Sequence, residues 1–437
     1  PLYLISGGNP LFVSVVFRLI NALGIILIFY LAKNLFDSKV AFLSALIFAF
    51  SFEQNQYAIY VCHPPLVIIS HLILFTGAMI LLKRKNKFWG LPLIAIGACS
   101  AVQFELLGIS ALVTAAVIVF LLKDQLKKVS VKSWILAVLS GLFFLSTYLI
   151  GELKYGFRSI KSVLALLNSG YQVVPDGESR TVLYLKRLLL LFADNLLPFQ
   201  GVLLILLTVL IIGAILFWSK KEKSLRLILI WIASCLFLIP LGGYNAYYVN
   251  AGIASGVIIA GAFVISKIIV KNKIFGLLVL MLILTSNLTR TIKQKDQSLI
   301  VDLKPQPYMK LADEKRLINY IYQYADGRNF TIRLINIPYR IQTVWSYLFN
   351  QYGQKVWGYL PLLETGLVDG FPGYLPQPQS GTTCLRFLIQ EPTRGISDGL
   401  RIQTEKEEDL FSKVIEQKEF GDFRLQVRQA RDQNCHN

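Results

Sequence analysis

The sequence predicts an all-α polytopic membrane bundle of about ten transmembrane helices, two of them short, followed by a small α/β or α+β extracytoplasmic domain. Apolar residues make up 54% of the 437 residues and charged residues only 16%, whereas a soluble domain carries roughly 25% charged residues. Residues 1–290 hold 25 basic and 9 acidic residues, and residues 291–437 hold 19 and 17. We therefore divide the chain into a membrane domain, 1–290, and a soluble domain, 291–437.

Hydropathy marks the membrane spans, because a helix of about 20 apolar residues crosses the roughly 30 Å hydrocarbon core of a bilayer. The predicted spans are 11–32, 40–54, 65–82, 134–151, 200–218, 226–240, 249–267 and 274–289, and the stretch 88–122 supplies two more. That stretch is too long for one crossing, since it would reach about 52 Å as a single helix. Gln103, Glu105 and Gly108 interrupt it near its middle, which predicts two short helices joined by a tight turn.

Five basic loops set the topology, since together they hold 17 Lys and Arg residues against three acidic ones. They are 33–39, 83–87, 123–133, 219–226 and 267–273. The positive-inside rule places them in the cytoplasm, and only two helices in 88–122 keep its flanking loops on one side. The same alternation places segment 152–199 and the soluble domain outside.

The external segment 152–199 carries six basic residues where the topology rule predicts few. They are Lys154, Arg158, Lys161, Arg180, Lys186 and Arg187. The run TVLYLKRLLLLFADNLLPF sets two of these cations among leucines, which is typical of an interfacial helix whose cations reach lipid phosphates. A connecting helix that only borders the membrane explains the pattern equally well.

Carboxylates gather on the same face: six of the nine acidic residues of the membrane domain lie at or beyond outer helix ends. If a sugar is transferred from a lipid phosphate, one carboxylate accepts the proton of the attacking hydroxyl while cations stabilise the phosphate. Glu53 and Glu105 are the catalytic candidates, because each lies in a turn between spans where burial raises a carboxyl pKa. A solvated loop charge is the alternative for either residue.

Arg18 is the charge that lies well inside a predicted span, so we expect it to face protein or a water-filled cavity. A structural partner and a phosphate ligand are both compatible with it. His63 begins the third span in the motif CHPP, where proline suits the first helical turn. Tyr244 lies at the outer interface, where it belongs either to an aromatic belt or to a sugar-stacking site.

Five motifs follow one another along the membrane domain: NPLFVSVVFRLINALGIILIFYLAKNLF, ALIFAFSFEQNQYAIYV, HPPLVII, AVQFELLG and GELKYGF. Their order, over nearly all of 1–290, resembles the GT-C superfamily. These membrane glycosyltransferases use polyprenyl-phosphate sugars and include protein O-mannosyltransferases and the aminoarabinose transferases of lipid A.

The resemblance implies an external active site, a lipid-phosphate donor, an inverting displacement and, in some members, a divalent cation such as Mg or Mn. By motif, Glu152, Lys154 and Tyr155 take the acid, Arg and His positions of a loop motif. The chain departs from the family pattern at two positions. The family has Asn where this chain has His63, and it has His after Gln where this chain has Phe104 and Glu105. The main catalytic Asp of the family lies in the first outer loop. The remnant PLYLISGGNP has no carboxylate, so we expect N-terminal sequence and the catalytic base to be missing.

The soluble domain alternates helical and strand patterns. ADEKRLINYIYQYA and TVWSYLFNQYG predict helices, and FTIRLINI, CLRFLIQEP and FGDFRLQVRQ predict strands. This alternation predicts a small α/β or α+β domain. Cys384 and Cys435 both lie outside the cell, so a disulfide and two free thiols are both compatible with the sequence.

Three classes of function remain open. A hexosyl- or pentosyltransferase of the GT-C type is favoured, because polar groups gather at outer helix ends. A transporter or flippase of lipid-linked substrate would carry them at mid-depth, and a catalytically silent lipid-binding scaffold is the third class. The transferase would act in the bacterial plasma (inner) membrane on a polyprenyl-phosphate sugar and a glycan, lipid or protein acceptor, with no nucleic acid partner. The residues predicted to bind substrate or lipid phosphate are Arg18, Glu152, Lys154, Tyr155, Arg158, Lys161, Arg187 and Tyr244.

Overall fold

The computed structural model divides the chain into two compact units. One is Pro10–Lys293, and the other joins Pro1–Asn9 with Gln294–Asn437. The structure describes residues 5–7, 9–59, 63–105, 108–157, 160–161, 180–197, 199–241, 247–293, 309–336, 342–364, 375–376, 383–392 and 398–431.

The first unit is a bundle of α-helices. In chain order they are α1 (Pro10–Leu35), α2 (Ser38–Phe50), α3 (Phe52–Ile59), α4 (Pro64–Lys83), α5 (Gly90–Phe104), α6 (Ile109–Leu121), α7 (Lys123–Leu126), α8 (Val131–Lys154), α9 (Arg180–Asn195), α10 (Gly201–Ser219), α11 (Lys223–Ala233), α12 (Ala254–Lys271) and α13 (Lys273–Lys293). Two 3₁₀ segments, Ser234–Leu241 and Tyr247–Ile253, lie between α11 and α12.

Among the described residues, six helices are long and apolar enough to cross a membrane, and α2, α5 and α6 are shorter apolar helices. The chain is thus a multi-pass membrane protein, but the predicted count of ten spans is not confirmed. The predicted span 40–54 ends early, since α2 ends at Phe50 and Ser51 leaves the helical conformation with ψ 129°. The Ser51 hydroxyl accepts a hydrogen bond from the backbone N–H of Gln54 at 3.2 Å, which begins the separate helix α3.

The predicted division of 88–122 into two helices is confirmed. Helix α5 ends at Phe104, Glu105 is extended (φ −149°, ψ 119°), and α6 begins at Ile109. The turn folds back tightly on α5: a Cβ on Gly108 would lie 2.5 Å from the carbonyl oxygen of Ala101. A larger residue at position 108 would therefore collide with the backbone of the preceding helix.

Hydrogen bonds and ion pairs bring basic loops together at one end of the bundle. Arg84 donates to the side chain of Asn34 at 2.5 Å, and Lys83 pairs with Glu222 at 3.2 Å. The Ser133 hydroxyl donates to a backbone carbonyl just before α5 at 2.6 Å. Four of the basic loops thus share the side that the positive-inside argument requires. We call this side the basic-loop end and the other the opposite end.

Helices α4 and α12 form the centre of the bundle, with 72% of the apolar window of each buried, against 6% for α8. Helices α4 and α5 cross closely, because a Cβ on Gly97 would lie only 2.5 Å from the backbone oxygen of Ser70. The hydroxyls of Ser70 and Ser100 also meet at 2.9 Å across this crossing. Their close packing holds the outer end of α4 in a defined position.

The second unit is a small α+β domain around a five-stranded sheet. Its elements are α14 (Leu311–Ala325), β1 (Phe330–Ile335), α15 (Thr343–Leu348), a π-helical turn (Phe349–Gly353), α16 (Gln354–Trp357), β2 (Leu362–Leu363), β3 (Leu385–Gln390), α17 (Asp398–Phe411), β4 (Ser412–Phe420) and β5 (Phe423–Ala430). The strand order is β2-β1-β3-β5-β4; β1 runs parallel to β2 and β3, and the other neighbours are antiparallel.

One face of this sheet forms the apolar core of the domain. Alternate residues of β1, β3 and β5 pack against the buried side of α14 and against Trp345 and Phe349. Cys384, at the start of β3, is disulfide-bonded, which decides between the two predicted states of this thiol. The predicted partner Cys435 lies outside the described residues.

Candidate functional site

A buried polar cluster lies at the opposite end of the membrane bundle. It joins α3, α9 and α13 through side chains that are buried, except that of Arg290, which is 35% exposed. Its members are Ser51, Glu53, Arg187, Asp194, Asn195, Asn287 and Arg290. Helix α9 contributes its part because Arg187, Leu191 and Asn195 are spaced four residues apart and share one helical face.

Glu53 is the centre of the cluster. Its carboxylate accepts hydrogen bonds from Arg187 Nη2 at 2.8 Å and from Asn195 Nδ2 at 2.6 Å. The Oδ1 atom of Asn195 accepts a further hydrogen bond from the Ser51 hydroxyl at 2.6 Å. In α3, which lies beyond the end of the apolar helix α2, burial raises the pKa of Glu53 to about 7, although the nearby Arg187 favours the ionised form.

A second set of contacts holds α3 and α9 to α13. Arg290 pairs with Asp194 at 2.6 Å, and its guanidinium lies 4.0 Å from the centre of the Phe52 ring. The backbone N–H of Phe52 donates to Asn287 Oδ1 at 2.9 Å. Three helices distant in sequence are therefore joined around Glu53. Arg187 points into this cluster, contrary to the predicted orientation of its side chain toward lipid phosphates, because the buried Glu53 offers it a carboxylate.

A cavity of about 160 Å³ lies beside this cluster, between α1 and α3. Its polar lining is Arg18, Asn21, Gln54 and Asn55, and the remainder is apolar. Gln54 is only 2% exposed, and neither atom of its amide has a hydrogen-bond partner among the described residues. The Nδ2 of Asn21 is likewise unsatisfied within the described part of the chain. Buried amides are normally hydrogen-bonded, so these groups indicate a polar ligand or water in the cavity.

Arg18 fulfils the expectation that an intramembrane cation faces a cavity. Its side chain lines the cavity, and no ion pair joins it to any described residue. The cavity therefore offers one positive charge, on the exposed residue Arg18, and three carboxamides. Guanidinium groups bind phosphate oxygens in a bidentate manner, and carboxamides both donate to and accept from hydroxyl groups. This set of groups is suited to a polar ligand that carries negative charge.

His63 and Glu105 form a separate pair at the opposite end, where α4 begins and α5 turns into α6. His63 Nε2 lies 3.1 Å from Glu105 Oε2, and the side chains are 57% and 12% exposed. The imidazole is accessible while the carboxylate is mostly covered. Such a pair can orient an imidazole and stabilise its protonated form when it accepts a proton.

The remaining predicted site residues contact only residues close to them in sequence, as far as the described contacts show. The Glu152 carboxylate accepts a hydrogen bond from the backbone N–H of Ile160 at 3.3 Å, and Lys154 lies 5.3 Å from the centre of the Tyr155 ring. Lys161 is exposed. The other two, Arg158 and Tyr244, lie outside the described residues. The described contacts thus unite Glu53 with Arg187, and Glu105 with His63, but do not bring the 152–161 segment to Glu53.

Sequence reasoning missed Gln54, Asn21 and Asn195. Asn195 could have been identified from its spacing from Arg187, which places both on one helical face. Gln54 and Asn21 could have been identified as polar residues that interrupt the apolar helices. Nowhere in the described part of the chain do three or more His, Cys, Asp or Glu side chains come together as a metal site requires.

The described membrane domain is a multi-pass helical bundle with buried polar groups at one end. Residues 2–150 match the family described as dolichyl-phosphate-mannose-protein mannosyltransferase. This match supports a membrane glycosyltransferase of the GT-C type and confirms the resemblance seen in the motifs. The family uses a polyprenyl-phosphate sugar and an acceptor. No curated protein matches the chain.

Proposed function

We propose that this protein transfers a hexose or pentose from a polyprenyl-phosphate donor to a hydroxyl-bearing glycan, lipid or protein. The observation that carries the proposal is the cavity at Arg18, whose buried and unsatisfied amides lie within the residues that match the glycosyltransferase family. The reaction takes place at the opposite end of the bundle, which we assign to the extracytoplasmic side of a bacterial plasma membrane because the basic loops lie at the other end.

The chemistry is a displacement at the anomeric carbon of the sugar. The oxygen of the acceptor hydroxyl forms a bond to that carbon, and the bond from the carbon to the donor phosphate breaks. The electron pair of the broken bond stays on the polyprenyl phosphate, and the hydroxyl proton passes to a base. Catalysis therefore requires a cation at the phosphate and a base on the acceptor side.

Arg18 is the residue that we assign to the donor phosphate. Its guanidinium stabilises the charge that develops on the phosphate as the bond to the sugar breaks. We assign the hydroxyls of the sugar to Gln54 and Asn21, whose amides have unsatisfied atoms, and to Oδ1 of Asn55, because Nδ2 of Asn55 already donates to the backbone carbonyls of Ala49 and Ser51. The apolar part of the lining includes Phe48.

The acceptor side is assigned to the pair of His63 and Glu105. The exposed imidazole accepts the acceptor proton, and the covered Glu105 orients it. Glu53 stays a predicted catalytic residue. Its enclosure by Arg187 and Asn195 supports a positioning role, in which it fixes α3 and hence Gln54 beside the cavity.

The cationic segment that follows α8 stays a predicted contact for lipid phosphate through Glu152, Lys154, Tyr155, Arg158 and Lys161. Tyr244 stays a predicted contact for the sugar. A divalent cation, Mg or Mn, also stays a prediction, and no step of the proposed displacement passes through it.

The decisive experiment measures sugar transfer in membranes that contain this protein and defined polyprenyl-phosphate sugars. Arg18→Gln should lower kcat/KM for the donor by about 10- to 150-fold, the value of a lost hydrogen bond to a charged group. Lys33→Gln is the matched control, since it removes a cation from the basic-loop end of the same helix. Equal transfer by the Arg18 variant and the control would refute the donor site.

The acceptor side has its own test. Glu105→Gln keeps the shape of the side chain and should lower kcat with little change in the KM for the donor, because it alters proton acceptance and not donor binding. Lys154→Ala and Arg158→Ala test the cationic segment in the same assay. Movement of the donor across the membrane without formation of a glycosidic bond would instead indicate a transporter.

A further inference from the structure

The second face of the sheet in the soluble domain carries a row of arginines. Arg333 lies on β1, Arg386 on β3 and Arg428 on β5. Arg386 and Arg428 are buried, with 2% and 1% of their residue surface exposed. Arg386 and Arg428 are direct partners across the antiparallel pair. Like charges in such positions destabilise a sheet unless anions neutralise them.

Helix α17 supplies three of these anions, and Glu364, which follows β2, also pairs with Arg386. Glu408 accepts hydrogen bonds from Arg386 Nε at 2.6 Å and Nη2 at 3.1 Å, and from Arg333 Nη1 at 3.1 Å. Glu407 pairs with Arg333 at 2.5 Å, and Asp409 pairs with Arg428. One carboxylate thus lies between two guanidinium groups, the arrangement in which proteins commonly bind a free oxyanion.

Apolar packing contributes little to the attachment of α17. The buried residues of this helix are Thr404 and Glu408. Its large apolar side chains are exposed, namely Leu400, Ile402, Leu410 and Phe411. Helix α14 on the other face is the opposite case, since Leu317, Ile318 and Ile321 are fully buried in the apolar core. The two helices of one domain are therefore held by different forces.

We propose that Arg333, Arg386 and Arg428 form a binding site for a phosphate-bearing anion, and that α17 covers this site by placing Glu408 in it as an internal competitor. The site is independent of the sugar transfer proposed above. Arginine forks match the oxygens of phosphate as well as those of a carboxylate. A phosphate group that enters the row takes the hydrogen bonds of Glu408, and α17 then leaves the sheet, since few apolar contacts retain it.

Hydrogen–deuterium exchange of the full chain in detergent tests this proposal directly. At constant ionic strength, replacement of chloride by inorganic phosphate should speed amide exchange in α17 by about tenfold, equivalent to about 1.4 kcal/mol. Exchange in α14 serves as the internal control and should not change. An equal response of the two helices would overturn the proposal, and so would equal exchange of α17 in chloride and phosphate together with no effect of the anionic lipid described below.

Variants at the row give a second test. Glu408→Gln removes the competing charge but keeps the side-chain shape, and should tighten binding of radiolabelled inorganic phosphate by about tenfold. Arg386→Gln should abolish that binding. Glu419→Gln, which removes an exposed acid from β4, is the matched control and should bind as the unmodified protein does. If the Glu408 variant does not fold, the exchange experiment on the unmodified chain still decides the question.

The phosphate can belong to a free solute or to a lipid headgroup. The exchange experiment is therefore repeated with the protein in phosphatidylcholine vesicles, with and without phosphatidylglycerol, in chloride buffer. Faster exchange of α17 with phosphatidylglycerol alone identifies a lipid headgroup, and faster exchange with inorganic phosphate alone identifies a soluble anion. No effect of either one contradicts the site.

Discussion

Glu314 predicts a pH-dependent stability of the soluble domain. It lies in the first turn of α14 and is buried, and its pKa is raised from 4.5 to about 7 by burial and then by the nearby carboxylates Glu391 and Asp313. Because the folded state binds this proton more tightly than the unfolded state, its contribution is fully present below about pH 4.5. It is lost as the pH rises toward 7 and stays constant above.

The magnitude follows from the same pKa. Each pKa unit corresponds to about 1.4 kcal/mol, so the rise from 4.5 to about 7 predicts that the domain loses about 3 kcal/mol between pH 4.5 and pH 7. Glu314→Gln mimics the protonated side chain and should abolish this loss. The variant should be as stable as the unmodified protein at pH 4.5 and more stable at pH 8.

The assay is the protection of α14 amides against exchange in the full chain, with rates divided by the intrinsic rate at each pH. The pH-dependent difference between the unmodified protein and Glu314→Gln then isolates this carboxyl. Asp398→Asn, at a side chain that is 82% exposed, is the matched control. An undiminished loss of protection in the Glu314 variant between pH 4.5 and pH 7 would refute the reasoning.

Two further predictions concern the membrane bundle. Gly97→Ala places a Cβ against the α4 backbone and should lower the free energy of unfolding by about 1–3 kcal/mol. Gly213→Ala, which has open space around it, is the control and should leave the free energy of unfolding unchanged. Thermal unfolding in detergent distinguishes the two variants, and equal midpoints would contradict the close crossing of α4 and α5. Asn195→Ala leaves Ser51 and Glu53 without their amide partner and should lower the free energy of unfolding by about 1–3 kcal/mol in the same assay. Asn329→Ala, at an exposed position, is the control and should have no effect. An unchanged midpoint for Asn195→Ala would show that the cluster does not hold α9.

Charge and periodicity predicted much of this fold. The break of 88–122 into α5 and α6 followed from the shared side of two basic loops, and the structure confirms it. In the soluble domain the apolar period of ADEKRLINYIYQYA predicted α14, and alternating apolar residues predicted β1, β3 and β5. These elements are predictable because each buries one apolar face, which leaves a period in the sequence.

Helix α17 was missed for the same physical reason. Its sequence, DGLRIQTEKEEDLF, has no apolar stripe because its inner face is made of carboxylates that pair with arginines on the sheet. The polar cluster at Glu53 was only partly predicted. Glu53 and Arg187 were each identified, but their pairing joins α3 to α9 across more than a hundred residues, and no local pattern specifies such a contact.

The lengths of α5 and α6 have a consequence for the surrounding lipid. At 1.5 Å per residue they rise about 22 and 20 Å, whereas the hydrocarbon core is roughly 30 Å thick. Thinning of the bilayer is one way in which a membrane accommodates a hydrophobic length that falls short. Such thinning beside this hairpin would bring headgroups closer to His63 and Glu105. A lipid-linked sugar could then meet these side chains while its tail remains among the acyl chains.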